Sequence, residues 1–389
     1  MSQKTFDLTL PDRFSVLDAV RSSPLFKNQI SLVGSKKAGT DINTYKLFLE
    51  QCFNLLRPGG LCGIVIPSGI YTDLGAKRLR EMLFGQTRVT ALFGLENRKE
   101  IFEGVHRSFK IVVLAFQKGT TTESFPAAFM RHDVAELEHF PQRGAIDIPV
   151  ALVRRLSPDS LSVMEFKCDR DIDIAEKMLR FPLLGEKLPD RWNVRFTAEF
   201  HMTNDSRLFH TSPGKGRLPL YEGKMIWQFD HRLAPPRYWV DEKEGRKALL
   251  GREKDTGQKL DYQCYRLGFR DVAANTNERS AIAAIVPKKH FVGNTLPVHV
   301  PLASEAPTNK ELLCLMAIFD SFVFDWMIRQ KITNHLNMFY VAQIPVPRLT
   351  AADAAFGPIV ERAARLICTT PEFDDLAREV GLRSHKQGA

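Results

Sequence analysis

The 389 residues are 44% hydrophobic, 25% charged and 10% aromatic, which is enough apolar side chain to bury a core and excludes wholesale disorder. The length allows two or three domains, and the net charge of +9, from 54 Lys and Arg against 45 Asp and Glu, points toward polyanionic partners, although many solvated surfaces are equally basic. The longest apolar run, 312–327, is broken by Asp320 and Asp325, and the N-terminus lacks a signal-peptide stretch, so neither a membrane span nor export is predicted.

In chain order, residues 1–40 predict an irregular lead-in with one short helix near 14–20. Tyr45, Phe48, Leu49, Cys52, Phe53 and Leu56 then recur at helical spacing and predict an amphipathic helix of about four turns. Asp41, Asn43 or Thr44 can cap it, and Arg57-Pro58-Gly59-Gly60 stops it. The run LCGIVI at 61–66 predicts a strand buried on both faces. A second helix follows at 74–84, and strands at 89–93 and 110–116 flank a charge-rich loop. Strand, helix, strand in this order predicts a parallel α/β sheet with short crossovers. The last strand follows no helix and is expected as an antiparallel addition at one edge.

Residues 41–135 thus form one α/β block, and 136–190, with 8 basic and 11 acidic side chains and five prolines, an acidic connecting segment. From 191 to 347 the chain carries 22 basic and 16 acidic side chains, two-thirds of the net excess, so a phosphate-gripping region is expected there. Short strands at 218–221, 225–229, 262–269 and 281–286 alternate with Gly, Pro and Asn turns. A helix is predicted at 310–328, then an apolar passage at 334–347. The tail, 348–389, is helical around 360–367 and carries no net charge. Six cysteines without any CxxC pair read as reduced core thiols of a cytoplasmic protein.

The ordered segments Asn43-Thr44-Tyr45-Lys46-Leu47-Phe48, Leu55-Leu56-Arg57-Pro58-Gly59-Gly60-Leu61, Ile64-Val65-Ile66-Pro67, Leu79-Arg80-Glu81 and Ile101 through Lys110 (IFEGVHRSFK) resemble the γ-class adenine-specific DNA methyltransferases of type IIG restriction-modification enzymes and related phage-defence systems. The resemblance covers roughly 41–118. A second one covers 191–347, where Asp205 to Phe209, Pro219 to Ile226, Asn277 to Ser280, Asp325-Trp326 and Ile344 to Pro347 are similar to target-recognition regions appended to such enzymes. The implied fold is the C-terminal half of a class I, Rossmann-like methyltransferase sheet followed by an α+β target-recognition domain. Two parts of the family pattern are absent from these 389 residues: the Gly-rich FxGxG-like turn that holds S-adenosylmethionine, and the NPPY motif that engages the flipped adenine.

By this resemblance Phe48 contacts the cofactor's adenine ring, a role for which an apolar aromatic wall is suited, although Phe48 equally suits the helix's core stripe. Phe102 corresponds to the aromatic that supports the extruded base, with Phe109 as rival, although its place opening the 110–116 strand favours the core. His106 and Arg107 can meet phosphate or stay solvated. In the second region Lys224, Asp230, His231, Arg232, Arg237 and Tyr238 make a polar and aromatic cluster, from which Lys224, Arg232, Arg237 and Tyr238 are candidate DNA contacts. Asn334, His335 and Asn337 suit packing with satisfied hydrogen bonds better than base contact. Pro158-Asp159 with Glu165-Phe166-Lys167 spells a nuclease-like PD…ExK, but five intervening residues leave no room for the two strands such a metal site needs, and no metal is expected.

The resemblance implies part of a site-specific adenine DNA methyltransferase. It would supply target recognition, one wall of the cofactor pocket and one of the base pocket. Its partners would be double-stranded DNA and a polypeptide carrying the N-terminal methyltransferase half. S-adenosylmethionine would bind only in the completed enzyme, and the isolated chain would be inactive. The alternatives are a non-catalytic DNA-binding specificity subunit and a truncated relic of a split gene with an exposed sheet edge.

Overall fold

A computed structural model describes residues 23–33, 36–38, 43–274, 277–332 and 335–387. The chain is mixed α/β and divides into two compact units, Met1–Lys177 and Met178–Ala389. The helix predicted at 14–20 lies outside the described residues.

In the lead-in of unit 1, β1 (Ser31–Val33) and β2 (Lys36–Ala38) pair antiparallel. Helix α1 (Thr44–Leu55) buries Lys46, Leu49, Glu50 and Phe53, a face rotated away from the predicted stripe. Glu50 is the cause. Its carboxylate accepts hydrogen bonds from the backbone N and Nδ2 of Asn28 (2.9 and 2.8 Å) and from Gln29 Nε2 (2.6 Å), so the segment before β1 clamps onto this side of the helix. A buried carboxylate is tolerated when its oxygens are so saturated. Phe48 is consequently left 64% exposed. At the helix end, Lys118 Nζ donates to the Phe53 and Leu56 carbonyls (2.8 Å each), which the helix leaves without partners.

Strands β3 (Leu61–Pro67), β4 (Thr87–Glu96), β5 (Lys110–Lys118), β6 (Ser124–Arg131) and β7 (Ile146–Pro149) form a sheet of order β3-β5-β4-β6-β7. β5 runs antiparallel to both β3 and β4, which are therefore parallel to each other. The strand expected at an edge thus lies inside the sheet, where the unbroken apolar run of KIVVLAF is needed. The edges are β7 and β3, and β3 has no strand on its outer side among the described residues. Leu61 and Val65 are 70% and 52% exposed, so this strand is covered on one face and not on both.

After β3 come the short α2 (Gly69–Thr72) and α3 (Lys77–Gln86). Buried Arg80 on α3 donates to the carbonyls of Ile70 (2.6 Å), Asp73 (2.6 Å) and Ser160 (2.7 Å). The stretch expected as a connecting segment is in large part structural: β7, α4 (Val150–Leu156) and most of α5 (Asp169–Met178) belong to unit 1.

Unit 2 holds two four-stranded sheets, built from β8 (Phe196–Thr197), β9 (Phe209–His210), β10 (Arg217–Tyr221), β11 (Tyr238–Asp241), β12 (Arg266–Phe269), β13 (Ala283–Val286), β14 (Phe291–Val292) and β15 (Val298–His299). Their orders are β14-β10-β11-β9 and β13-β12-β15-β8. Helix α6 (Glu242–Leu250) follows β11. The strand expected at 225–229 is a turn, closed by a Trp227–Asp230 bridge. The helix expected at 310–328 is two, α7 (Asn309–Phe319) and α8 (Phe322–Arg329). It breaks because the Asp320 carboxylate turns to accept the amides of Phe229 (3.0 Å) and Ala283 (3.2 Å), while Ser321 caps α8. α9 (Met338–Ala342), α10 (Phe356–Ile367) and α11 (Asp374–Glu379) complete the unit.

Candidate nucleic-acid interface

Pro67 of β3 and Leu95 of β4 stand opposite the same residue, Ile111 of β5, on its two sides. The turn after β3 and the loop after β4 therefore leave the sheet at one end, the carboxyl end of its parallel strands, where open α/β sheets bind ligands. That loop, 97–109, carries four of the predicted site residues.

Asn97 holds it in shape. Its side chain is buried; Nδ2 donates to the Phe102 (3.0 Å) and Val105 (2.8 Å) carbonyls, and Oδ1 accepts from the Phe102 N–H (2.9 Å). Its backbone N–H donates to the Phe109 carbonyl (3.0 Å). Glu100 (φ 54°) and Gly104 (φ 74°) are left-handed and reverse the chain between these anchors. The rings of Phe102 and Phe109 are thereby 41% and 43% exposed. Phe109 is not the core residue that its place at the head of β5 suggests: its carbonyl is used inward and its ring stays at the surface. Nothing apolar marks Asn97 in the sequence. The available signal is an Asn between a strand and a Gly-containing loop, a turn-former's place.

The loop's basic side chains are paired. Arg107 meets Glu100 (2.9 Å), Lys99 meets Asp133 (2.8 Å), Arg98 meets Glu96 (2.7 Å), and His106 Nδ1 meets Ser108 Oγ (2.8 Å). Exposed ion pairs hold by less than about 1 kcal/mol, so these cations remain open to a stronger anion. At the root of the loop, Lys110 Nζ (2.6 Å) and the Tyr71 hydroxyl (2.9 Å) share the carboxylate of Glu165. Burial, reinforced by that carboxylate, pushes the Tyr71 hydroxyl well up from its ordinary range. Both oxygens of Glu165 are spent in this way and Asp159 lies in an exposed turn, so the PD…ExK residues form no metal cradle. Among the described residues no group of three metal-ligating side chains converges.

Phe48 projects from the outer side of α1, open to a flat ligand; the core-stripe alternative does not hold. Of the second cluster, the structure unites Arg237 with Tyr238, the guanidinium lying 4.6 Å from the ring centroid. Tyr238 is half-buried, its ring 5.6 Å from that of Phe209. Arg232 is exposed and its backbone N–H donates to Asp230 Oδ1 (2.8 Å), while Lys224 lies 3.4 Å from Glu222. No hydrogen bond, ion pair or ring contact joins these three groups among the described residues. His231 is a core residue, packed against Tyr221 and Phe373, and burial pushes it down to about 4. Asn337 caps α9 by accepting the Tyr340 N–H (3.1 Å) and His335 meets Asp271 (3.0 Å); Asn334 lies outside the described residues. The cysteines are unpaired, but only Cys314 and Cys368 are fully buried and Cys168 is exposed, so the core-thiol expectation holds for part of the set.

No helix of the described residues is long and apolar enough to cross a membrane. Residues 21–102 match the Eco57I restriction-modification methylase family, a span that takes in α1 to β4 and the loop as far as Phe102. The resemblance drawn from the residues is thus borne out, for this segment, as that of a restriction-modification methylase. No curated protein matches the chain significantly. Among solved structures the chain is similar to the type IIG restriction endonuclease BpuSI, at 13% identity over 85% of this chain and 45% of that one, with a TM-score of 0.35. It is similar to the ATP-dependent Type ISP restriction-modification enzyme LlaBIII bound to DNA, at 9% identity over 96% and 29%, with a TM-score of 0.49. It is also similar to the Type IIL restriction-modification enzyme MmeI in complex with DNA, at 10% identity over 89% and 46%, with a TM-score of 0.42. The chain spans less than half the length of each of these structures.

Proposed function

From the restriction-modification methylase segment at 21–102, we propose that the chain is the part of a site-specific adenine DNA methyltransferase that recognises the target and walls one side of the cofactor and base pockets. The observation that carries the reading is the 97–109 loop: two exposed aromatic rings on a backbone fixed at the carboxyl end of parallel strands. An extruded base loses a few kcal/mol of stacking, and an aromatic platform returns part of it. Phe102 is the stacking residue and Phe109 its neighbour. His106 and Arg107 lie beside them for a phosphate, and Lys224, Arg232, Arg237 and Tyr238 contact DNA from unit 2.

S-adenosylmethionine supplies the methyl group. The residues present fit one wall of its site, since Phe48 offers an open aromatic face to the adenine ring. They do not include a glycine-rich turn for its charged end. That turn and the NPPY motif belong, in this reading, to a second polypeptide in the cytoplasm that covers the open edge of β3, where Leu61 and Val65 are bare. Catalysis by the assembly is then positioning of the adenine amine and exclusion of water.

The test is transfer of labelled methyl from S-adenosylmethionine to duplex DNA. The chain alone is expected to be silent, and adding a polypeptide bearing the Gly-rich and NPPY motifs is expected to give N6-methyladenine. Full activity from the chain alone, or labelling of a base other than adenine, overturns the reading.

A further inference from the structure

We infer that Asn97 is a positioning residue: it builds the Phe102–Phe109 platform in the free protein, before any nucleic acid arrives. The inference rests on the base-stacking role proposed above and adds how that site is made. A loop of 13 residues with exposed rings ordinarily orders on binding and loses affinity to the entropy of doing so. Here the cost is met in advance. Each polar atom of the Asn97 amide has a backbone partner in the loop, at 2.8, 2.9 and 3.0 Å. Two of these bonds bracket Phe102, one to its carbonyl and one from its N–H, so the peptide groups on both sides of the ring-bearing Cα are fixed. The bond from the Asn97 backbone to the Phe109 carbonyl ties the second ring's backbone to the same residue. Both aromatic positions are therefore referred to one buried amide.

The amide is also chemically specific. Aspartate has the same shape but no donor, and would set a carboxylate oxygen against the Phe102 and Val105 carbonyls. Alanine empties the position. Neither change alters the rings; the charge that aspartate adds is told apart from their position by the double variant below.

The test uses the full chain with a single-stranded oligonucleotide carrying one 2-aminopurine among thymidines, whose fluorescence is quenched when the base stacks on an aromatic ring. Wild type is expected to quench and Phe102→Ala to lose the signal. Asn97→Asp is expected to weaken binding of the probe roughly tenfold, the scale of one base–aromatic stack. The double variant should be no worse than Phe102→Ala, because Asn97 acts through that ring. Additive losses overturn the inference. Hydrogen exchange in wild type without DNA gives a second reading that does not depend on how the variants fold. The Phe102 N–H, donated to Asn97 Oδ1, is expected to be protected; exchange at the rate of an open loop overturns preorganisation even if the probe is quenched. Absence of quenching by wild type overturns the stacking role itself, and the inference with it, whatever the exchange rate.

Discussion

The 97–109 loop of unit 1 and the α7–α8 junction of unit 2 are both irregular chain held by buried side chains, and they differ in what does the holding. In unit 1 the amide of Asn97 and the guanidinium of Arg80 serve backbone groups, and neither changes charge across ordinary pH. At the α7–α8 junction and on β15 of unit 2 the holders are carboxylates and imidazole, a kind that Glu50 also provides on α1 of unit 1. Asp320 accepts the amides of Phe229 and Ala283, Asp325 accepts those of Ser280 and Ala281 (2.7 Å each), and His299 Nδ1 accepts that of Leu267 (2.9 Å). Any side chain that satisfies a buried peptide group stops irregular chain from costing the fold. Only the second kind makes the result depend on protons.

The largest effect follows from removing a holder outright. Asp325→Ala strands two buried amides and takes away the carboxylate that Arg329 Nε meets at 2.7 Å. Breaking a buried charged contact from one side costs about 3–5 kcal/mol, or roughly 10 °C in melting temperature for a unit of this size. Arg80→Ala takes the side-chain donor from three carbonyls, of which Asp73's keeps the Ala76 N–H, and should cost as much in unit 1. Urea and thermal melts decide it. If Arg80→Ala is nearly silent while Asp325→Ala is severe, water replaces a lost donor but not a lost acceptor, and the two kinds of holding are not equivalent.

Acid should separate the units next. Burial pushes His231 down to about 4 and His299 down to about 3, from an ordinary value near 6.5. Below pH 6.5 the unfolded chain binds protons that the folded one refuses, so these groups' contribution is complete above 6.5 and is lost as pH falls toward 4 and 3. For His231 the loss is about 3 kcal/mol. Asp320, pushed up to about 8 by burial against the pull of its two amides and Arg279, acts in the opposite sense, its folded form gaining protons as pH falls from 8. The measurement is therefore a difference. The stability gap between wild type and His231→Phe should shift by about 3 kcal/mol between pH 7 and pH 4, in favour of the variant. A gap that does not move with pH refutes a neutral buried imidazole.

Much of unit 1 is legible because its signals are local. The helix at 44–55, the strands and the Arg57-Pro58-Gly59-Gly60 stop follow from periodicity and turn chemistry. Periodicity fails where a tertiary partner reassigns a face: Glu50 is polar in sequence and buried in fact because Asn28 and Gln29 saturate it, and Phe48 turns outward in consequence. Strand order is equally hidden, since KIVVLAF reads the same inside a sheet or beside it. β6 escaped notice because Pro126 argues against an interior strand; it is tolerated since pairing with β4 begins only at Ala127. In the candidate site the aromatics are visible in the sequence and the amide that arranges them is not, because a hydrogen bond to a backbone carbonyl leaves no composition signature. Unit 2 is harder throughout. Its strands are two to five residues long, too short for a period to declare itself.

The smallest expected change in stability belongs to the open edge of β3, and it bears most directly on whether the two units are equally self-sufficient. Leu61→Lys with Val65→Lys places charge at two positions that the described residues leave exposed, so the melting free energy should move by less than about 1 kcal/mol. Lysine on an edge strand also discourages edge-to-edge pairing, so the variant should be at least as soluble as wild type. Methylation in the complemented assay should nonetheless fall at least tenfold, because the second polypeptide would now bury two unpaired charges. A melting loss of several kcal/mol would show that unit 1 covers this face itself. Unchanged methylation would move the docking site away from β3, and unit 1 would then be as complete as unit 2.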